Sequence, residues 1–168
     1  MDECLNMRGE EENTVLHTGL LSVTFRRLPA ERVVELAAEA GLDALEWGGD
    51  VHVPPGDPQR AEAVRRMTLD AGLAVAAYGS YYRVGVGEQP AGTFEGVLET
   101  ALALGAPTIR VWAGNVGSAA ADAGVRARVV EESRRIAELA ARAGVSISYE
   151  YHDNTLTDTA ESAVRLLE

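Results

Sequence analysis

The chain has 168 residues, of which 46% are hydrophobic and 24% are charged, and its formal net charge at pH 7 is −11. This length is enough for one domain built around a single core. The acidic balance repels phosphate backbones and anionic membrane surfaces, and the sequence has no local basic patch to offset it. We therefore expect neither a nucleic acid nor a membrane as a partner.

Residues 1–13 are polar and acidic, and we predict that they form a disordered leader ahead of one domain at residues 14–168. The single cysteine, Cys4, falls in this leader, which excludes an intrachain disulfide and a cysteine cluster for a metal. The leader lacks the basic and then apolar pattern of a signal peptide, and no apolar run approaches the ~18 residues of a membrane helix. These features favour a cytoplasmic location.

An alanine-rich helical stretch, a glycine and a short apolar run recur in this order four times along the chain. The glycines are Gly41, Gly72, Gly105 and Gly144. They lie roughly 30 to 40 residues apart, a spacing that suits one β-strand plus one α-helix. Each glycine is placed to end a helix in a left-handed backbone conformation.

Five short and mostly apolar strands are predicted, as buried parallel strands require, at residues 19–25, 44–47, 74–78, 108–112 and 146–150. Helical periodicity follows each of the first four strands, with stripes of apolar residues that include Val33, Val64, Val97 and Ile136. Each stripe predicts a helix that covers the sheet with one face.

Start signals support the predicted helices. Pro29, the pair Asp57 and Pro58, and Asp122 suit the first turns of the first, second and fourth helices. A fifth helix is predicted to begin near Thr157 or Asp158, with Glu161 placed to complete a capping box.

Strict alternation of strands and helices leaves two architectures open. One is an open doubly wound sheet, which five strands can complete, and the other is a (βα)8 barrel. The first strand is not followed by a glycine-rich phosphate loop, and there is no acidic cluster of the receiver type. We therefore predict an α/β fold, the (βα) repeat of a TIM barrel with five of its eight units present.

In both architectures the ligand lies at the C-terminal ends of the strands. Glu150 ends the fifth strand in SYEYHDNTLTDT, and His152 follows two residues later. A carboxylate at this position suits a hard metal ion or the removal of a proton next to a carbonyl. Alternatively, Glu150 is solvated or paired with an arginine. His52, in WGGDVHVPPGD, is a candidate substrate contact or a plain surface side chain.

Two further sets of side chains fall near the predicted strand ends. Glu46 points inward together with Ala44, so it is placed to pair with Arg110 across a barrel interior in a structural role. Trp47, Tyr78 and Trp112 suit either an apolar wall for a sugar ring or simple core packing.

The segments GLDALEWGGDVHVPPGD, VAAYGSYYRVG, LGAPTIRVWAG and GVSISYEYHDNTLTDT together resemble the sugar phosphate isomerase/epimerase family of xylose isomerase-like TIM barrels. The resemblance runs from about Thr18 to the end of the chain. It implies carbohydrate metabolism and a barrel that holds a divalent cation, manganese, magnesium, cobalt or zinc, at its strand ends. By resemblance, Glu150 is a metal ligand that in some members also moves the proton.

The resemblance implies a metal-dependent sugar or sugar-phosphate isomerase or epimerase acting on a small sugar-like molecule. Glu150 is then the catalytic and metal-binding residue, and His52, Arg110, Trp112 and His152 contact the substrate. The other ligands of such families, an aspartate, a histidine and a second glutamate, belong to strands six to eight, which the chain lacks. We therefore expect an incomplete site, an inactive chain, and self-association through the exposed edges of the outer strands.

Two alternatives remain open. Endonuclease IV-like enzymes of the same superfamily cleave DNA with a zinc cluster, but they need histidines at the early strand ends, and TIRVWAG offers none. The other alternative is a non-catalytic truncated barrel fragment or binding module.

Overall fold

The computed structural model describes residues 16–168, so the predicted leader at residues 1–13 and Cys4 lie outside the described residues. The strands are β1 (Gly19–Leu21), β2 (Ala44–Gly48), β3 (Ala74–Arg83), β4 (Thr108–Trp112) and β5 (Ser146–Tyr149). The helices are α1 (Ala30–Glu39), α2 (Pro58–Asp70), α3 (Phe94–Leu104), α4 (Ala123–Arg142) and α5 (Ala160–Leu167). No helix within residues 16–168 is long and apolar enough to cross a membrane.

The five strands form one parallel sheet in the order β1-β2-β3-β4-β5, so each strand pairs with its neighbours along the chain. A doubly wound sheet reverses its strand order at a switch point, whereas successive units of a barrel do not. The sequential order confirms the predicted fold class, a partial TIM barrel of five units. Strands β1 and β5 form the two edges of the described sheet, and self-association through them stays a prediction.

The main core lies between the sheet and its helices. Leu45 and Trp47 of β2 and Ile109 and Val111 of β4 are fully buried, and they belong to one apolar cluster. One residue from each predicted helical stripe joins this cluster, and these are Val33, Val64, Val97 and Ile136. Because side chains alternate along a strand, Glu46 and Arg110 point to the opposite face of the sheet, which these helices do not cover.

The structure confirms two of the predicted helix starts. The Asp57 side chain accepts a hydrogen bond from the Arg60 amide at 2.9 Å, and Pro58 is the first residue of α2. The Asp122 side chain caps α4 by accepting from the Val125 amide at 2.7 Å. Helix α1 begins one residue after Pro29, which occupies its N-cap position.

The predicted start of the fifth helix was wrong, because its N-cap residue lies one to two positions after Asp158 and Thr157. Thr159 is the N-cap of α5, so Ser162 rather than Glu161 takes the position that a capping box requires. Tertiary contacts explain the difference, because they occupy both predicted cap residues. The Thr157 hydroxyl donates to the Glu150 carbonyl at 2.6 Å, and the Asp158 carboxylate accepts from the Ser118 amide at 2.9 Å.

The lengths of two predicted strands were also wrong. Strand β1 ends at Leu21 and is followed by a 3-10 helix, Ser22–Phe25. The Ser22 hydroxyl accepts a hydrogen bond from the Gly48 amide at 2.9 Å. Strand β3 continues past Tyr78 to Arg83, because Arg83 still pairs with Trp112 of β4 after an irregularity in register. The extension of β3 carries several residues of the site described below.

The four repeat glycines all adopt left-handed backbone conformations, with φ between 69° and 78°, as predicted. A side chain in this conformation costs roughly 1–2 kcal/mol. We expect Gly72→Ala to lower the free energy of unfolding by about 1 kcal/mol in urea titrations, since a Cβ there meets no atom within 4 Å and only the backbone is strained.

The matched control is Gly87→Ala, where a Cβ also meets open space but φ is not in the left-handed region. Its free energy of unfolding should stay within about 0.5 kcal/mol of the parent value. Equal effects of the two substitutions would contradict the backbone explanation.

Candidate functional site

Arg110 of β4 lies at the centre of the candidate site, between two carboxylates. Its side chain is 12% exposed, and Nε donates to Oε1 of Glu46 at 2.5 Å. On the other side, Nη1 donates to Oε2 of Glu150. The predicted pair of Glu46 and Arg110 is confirmed, and the structure extends it to an ion triad of Glu46, Arg110 and Glu150.

A glycine on the intervening strand makes room for this triad. Arg110 is in register with Gly79 of β3, so its guanidinium crosses over that position on its way to β2. A Cβ built on Gly79 would lie 2.5 Å from Nη2 of Arg110 and 2.8 Å from Oε1 of Glu46. Any larger residue at position 79 would therefore have to displace the triad.

Glu150 follows directly after β5 and is held at several atoms. Its Oε2 accepts a second hydrogen bond from Nε1 of Trp112 at 2.6 Å, and its backbone amide donates to the Val111 carbonyl at 3.1 Å. One third of its side chain is exposed. Glu150 is thus paired with an arginine, as the alternative interpretation of the sequence held, and its catalytic and metal-binding roles stay predictions.

The described residues do not form a complete metal site. Within residues 16–168, no group of three or more histidine, cysteine, aspartate or glutamate side chains is arranged to hold a metal ion. Divalent cations of this kind need several oxygen or nitrogen ligands, and Glu150 supplies one carboxylate. Glu150 thus has the chemistry of one ligand for the predicted cation, and the described residues do not supply the others.

The remaining side chains of the site pack around the indole ring of Trp112. The His152 ring lies 4.3 Å from it between centroids, the Tyr81 ring lies 5.1 Å away, and Cζ of Arg83 lies 4.2 Å from the ring centre. The structure therefore brings four of the five predicted site residues together, namely Arg110, Trp112, Glu150 and His152. Their contact with a substrate stays a prediction.

His52 lies apart from this group. Its side chain is buried, Nδ1 is 3.0 Å from the Ser22 hydroxyl, and Nε2 is 3.0 Å from the Leu28 carbonyl. The expectation of a plain surface side chain was wrong, because the ring ties the loop after β2 to the segment after β1. Its predicted substrate contact stays a prediction, and both ring nitrogens already have partners inside the protein.

The three aromatic residues predicted near the strand ends have different environments. Trp47 and Tyr78 are fully buried, and the Tyr78 hydroxyl donates to the Val53 carbonyl at 2.9 Å. Burial raises the pKa of the Tyr78 phenol, as expected for a core tyrosine. Trp112 alone of the three is half-buried and belongs to the candidate site.

Sequence reasoning missed Tyr81 and Arg83, because it ended the third strand at Tyr78. Tyr81 has a φ of 60°, a strained conformation for a residue with a bulky side chain, typically costing about 1–3 kcal/mol. Its hydroxyl accepts from Nη2 of Arg26 at 2.9 Å, and Arg26 also pairs with Asp50. The run SYYR in the sequence was the available signal, since it places polar and aromatic residues after the apolar part of the strand.

Comparison with known proteins gives the following matches. The sequence matches a family model described as xylose isomerase-like TIM barrel over residues 34–168. No curated protein matches the sequence. The probable 3-DHS dehydratase AsbF, involved in petrobactin synthesis in Bacillus anthracis, has a similar solved structure, with 25% sequence identity and a TM-score of 0.76 over 90% of this chain and 58% of that one.

Two other solved structures share the fold at lower identity. IolI protein with a bound zinc atom is 15% identical with a TM-score of 0.71, and endonuclease IV from Thermus thermophilus is 16% identical with a TM-score of 0.50. Both alignments cover 90% of this chain and 58% of the other chain. The chain therefore spans a little over half the length of each of these three relatives.

We expect Arg110→Met to lower the free energy of unfolding by about 2 kcal/mol at neutral pH, measured by urea denaturation. The substitution leaves the two neighbouring carboxylates without the arginine charge that pairs with them. The expected loss of stability lies between the typical contributions of exposed and buried ion pairs. Arg142→Met is the matched control, because Arg142 is an exposed residue of α4.

Adding Glu46→Gln and Glu150→Gln to Arg110→Met should recover part of the lost stability, because no unpaired charge then remains in the triad. A loss for Arg110→Met no larger than that of Arg142→Met would show that the triad contributes nothing to the fold.

Proposed function

Because the chain belongs to the xylose isomerase-like TIM barrel family, we propose that it acts in the metal-dependent isomerisation or epimerisation of a small sugar, sugar phosphate or related polyol. The observation that supports this proposal most is the position of Glu150, fixed by Arg110 and Trp112 at the C-terminal ends of β4 and β5. Active sites of TIM-barrel enzymes lie at this end of the strands.

The chemistry requires a base that moves a proton between neighbouring carbons of a hydroxy-carbonyl compound. Glu150 suits this role through the unequal use of its two oxygens. Arg110 and Trp112 both donate to Oε2, whereas Oε1 accepts no hydrogen bond within residues 16–168. The carboxylate is thereby held in one orientation, with Oε1 left for a proton or for a cation.

His152 is the second polar group next to the base. Its Nδ1 lies 2.7 Å from the Asp153 carbonyl, which requires Nδ1 to carry the proton. In the neutral ring, Nε2 is then an acceptor for a substrate hydroxyl. The His152 ring packs against Trp112, whose Nε1 donates to Glu150.

A divalent cation, when bound, would polarise the carbonyl and the adjacent hydroxyl of the substrate. Glu150 is the residue of this chain proposed to bind it, and manganese, magnesium, cobalt and zinc are the candidates. Because residues 16–168 do not make a complete cation site, the other donors would have to lie outside them.

A dehydratase reaction is the second candidate, supported by the 25% identity and the TM-score of 0.76 with the probable 3-DHS dehydratase. Removal of a proton next to a carbonyl also begins such an elimination, so Glu150 would keep its role as base. DNA cleavage of the endonuclease IV type has less support, because the fold likeness is weaker and the net charge of −11 opposes binding to a phosphate backbone.

The metal part of the proposal is tested by calorimetry with Mn²⁺, on this chain and on the longest polypeptide that its reading frame encodes, each with and without Glu150→Gln. We expect Glu150→Gln to weaken Mn²⁺ binding at least tenfold in whichever form binds, since a ligand oxygen is lost. Glu138→Gln, at an exposed site on α4, is the control and should bind like the parent. Absence of Mn²⁺ binding in both forms would refute the metal dependence.

The proton-transfer part is tested by NMR in D2O, with Mn²⁺ and a panel of aldoses, ketoses and their monophosphates. Deuterium should enter at the carbon next to the carbonyl in at least one compound, and Glu150→Gln should slow this exchange at least ~100-fold, the lower range for loss of a general base. Exchange that persists at the parent rate in Glu150→Gln would exclude Glu150 as the base. Loss of water from an added hydroxy-ketone acid would instead favour the dehydratase candidate.

A further inference from the structure

A small cavity of about 220 Å³ lies beside the triad at the ends of β2, β3 and β4. Its walls include Tyr81, Arg83 and Trp112, together with the loop residues Asp50 and Gln89. The cavity is smaller than the ~300 Å³ lower range of pockets for drug-sized ligands. It has room for one end of a small metabolite, and its Trp112 wall donates a hydrogen bond to Glu150.

Arg83 is fixed in this cavity at both its backbone and its side chain. Its amide donates to Oε1 of Gln89 at 2.6 Å, and Nε2 of Gln89 donates back to the Arg83 carbonyl at 3.1 Å. The guanidinium lies over the Trp112 ring, and Nη1 donates to the Gly114 carbonyl at 3.2 Å. The side chain is therefore held in place before any ligand arrives.

The charge of Arg83 lacks a counterion in the described part of the chain. Within residues 16–168 no carboxylate lies within 4.0 Å of its guanidinium, although Asp50 lines the same cavity and pairs with Arg26. Arg110, on the neighbouring strand, forms ion pairs with two glutamates. Arg26 and Arg110 are thus each paired with a carboxylate, whereas Arg83 has no carboxylate partner among residues 16–168.

The free hydrogen-bond donors of Arg83 form one edge of the guanidinium. Since Nη1 is engaged, Nε and Nη2 have no hydrogen-bond acceptor among residues 16–168. These two N–H groups point the same way and match two oxygens of a carboxylate or phosphate. Partial burial also lowers the pKa of Arg83, the direction expected for a cation that is desolvated without compensation.

We propose that Arg83 is the anion-binding residue of this site, and that the substrate carries a carboxylate or phosphate group which the Nε and Nη2 edge of Arg83 binds. This inference rests on the proposed function, because it names the substrate class of the same site. It differs from the substrate contact predicted for Arg110, whose Nε and Nη1 donate to Glu46 and Glu150.

The test is a titration of tryptophan fluorescence, since Arg83 contacts Trp112 and the chain has two tryptophans, of which Trp47 is fully buried. The probes are inorganic phosphate, gluconate and the uncharged polyol glucitol, at constant ionic strength set with chloride and without added metal. We expect a saturable change with phosphate or gluconate and none with glucitol. Whichever anion binds identifies the group as a phosphate or a carboxylate.

Arg83→Gln should weaken anion binding at least tenfold, and Arg83→Lys should weaken it less, because it keeps the charge but loses the paired donors. Arg142→Gln removes the same charge from an exposed site on α4 and should bind like the parent. Circular dichroism and thermal melting of each variant confirm that it is folded.

Equal anion affinity of the parent and Arg83→Gln, a response to glucitol like that to gluconate, or no saturation with either anion would each overturn the inference. The Mn²⁺ titration is independent of this result. Anion binding without Mn²⁺ binding would support the role of Arg83 and refute the metal dependence. Mn²⁺ binding without anion binding would refute only the role of Arg83.

Discussion

The arrangement of the site depends on one guanidinium that links four neighbouring strands. Arg110 leaves β4, crosses over Gly79 on β3 to reach Glu46 on β2, and also binds Glu150 after β5. Charges of this kind are costly to bury alone, so each member of the triad requires the others to be in place. The triad therefore links the strand ends across the open face of the sheet, and it determines where Glu150 lies.

The arginines of the site also differ in whether a carboxylate pairs with them. Arg110 and Arg26 are matched by carboxylates, so their charges serve the architecture of the strand ends. Arg83 is held by Trp112 and Gly114 instead, and its guanidinium has no carboxylate partner within residues 16–168. If one arginine is to bind an anion while one carboxylate moves a proton, the two side chains have to lie apart, because an arginine without a counterion would pair with the carboxylate.

The fold of the family and the geometry of the site carry different parts of the functional argument. Membership of the xylose isomerase-like TIM barrel family accounts for the sequential parallel sheet and for a site at the strand ends. It does not define a substrate, because one barrel fold serves many reactions. The chain spans 58% of the length of the dehydratase, IolI and endonuclease IV structures, so the substrate class has to be argued from the side chains that this chain contains.

The sequence by itself determined the repeating strand and helix units, because the glycines and apolar stripes that define them act over a few residues. It also predicted the pair of Glu46 and Arg110, since alternation along two strands places both on one face. Only the tertiary structure decided that β3 continues to Arg83, that His52 is buried, and that Trp112 binds Glu150. These features depend on the register between strands and on contacts between loops that are distant in the sequence. Local sequence patterns do not specify either of them.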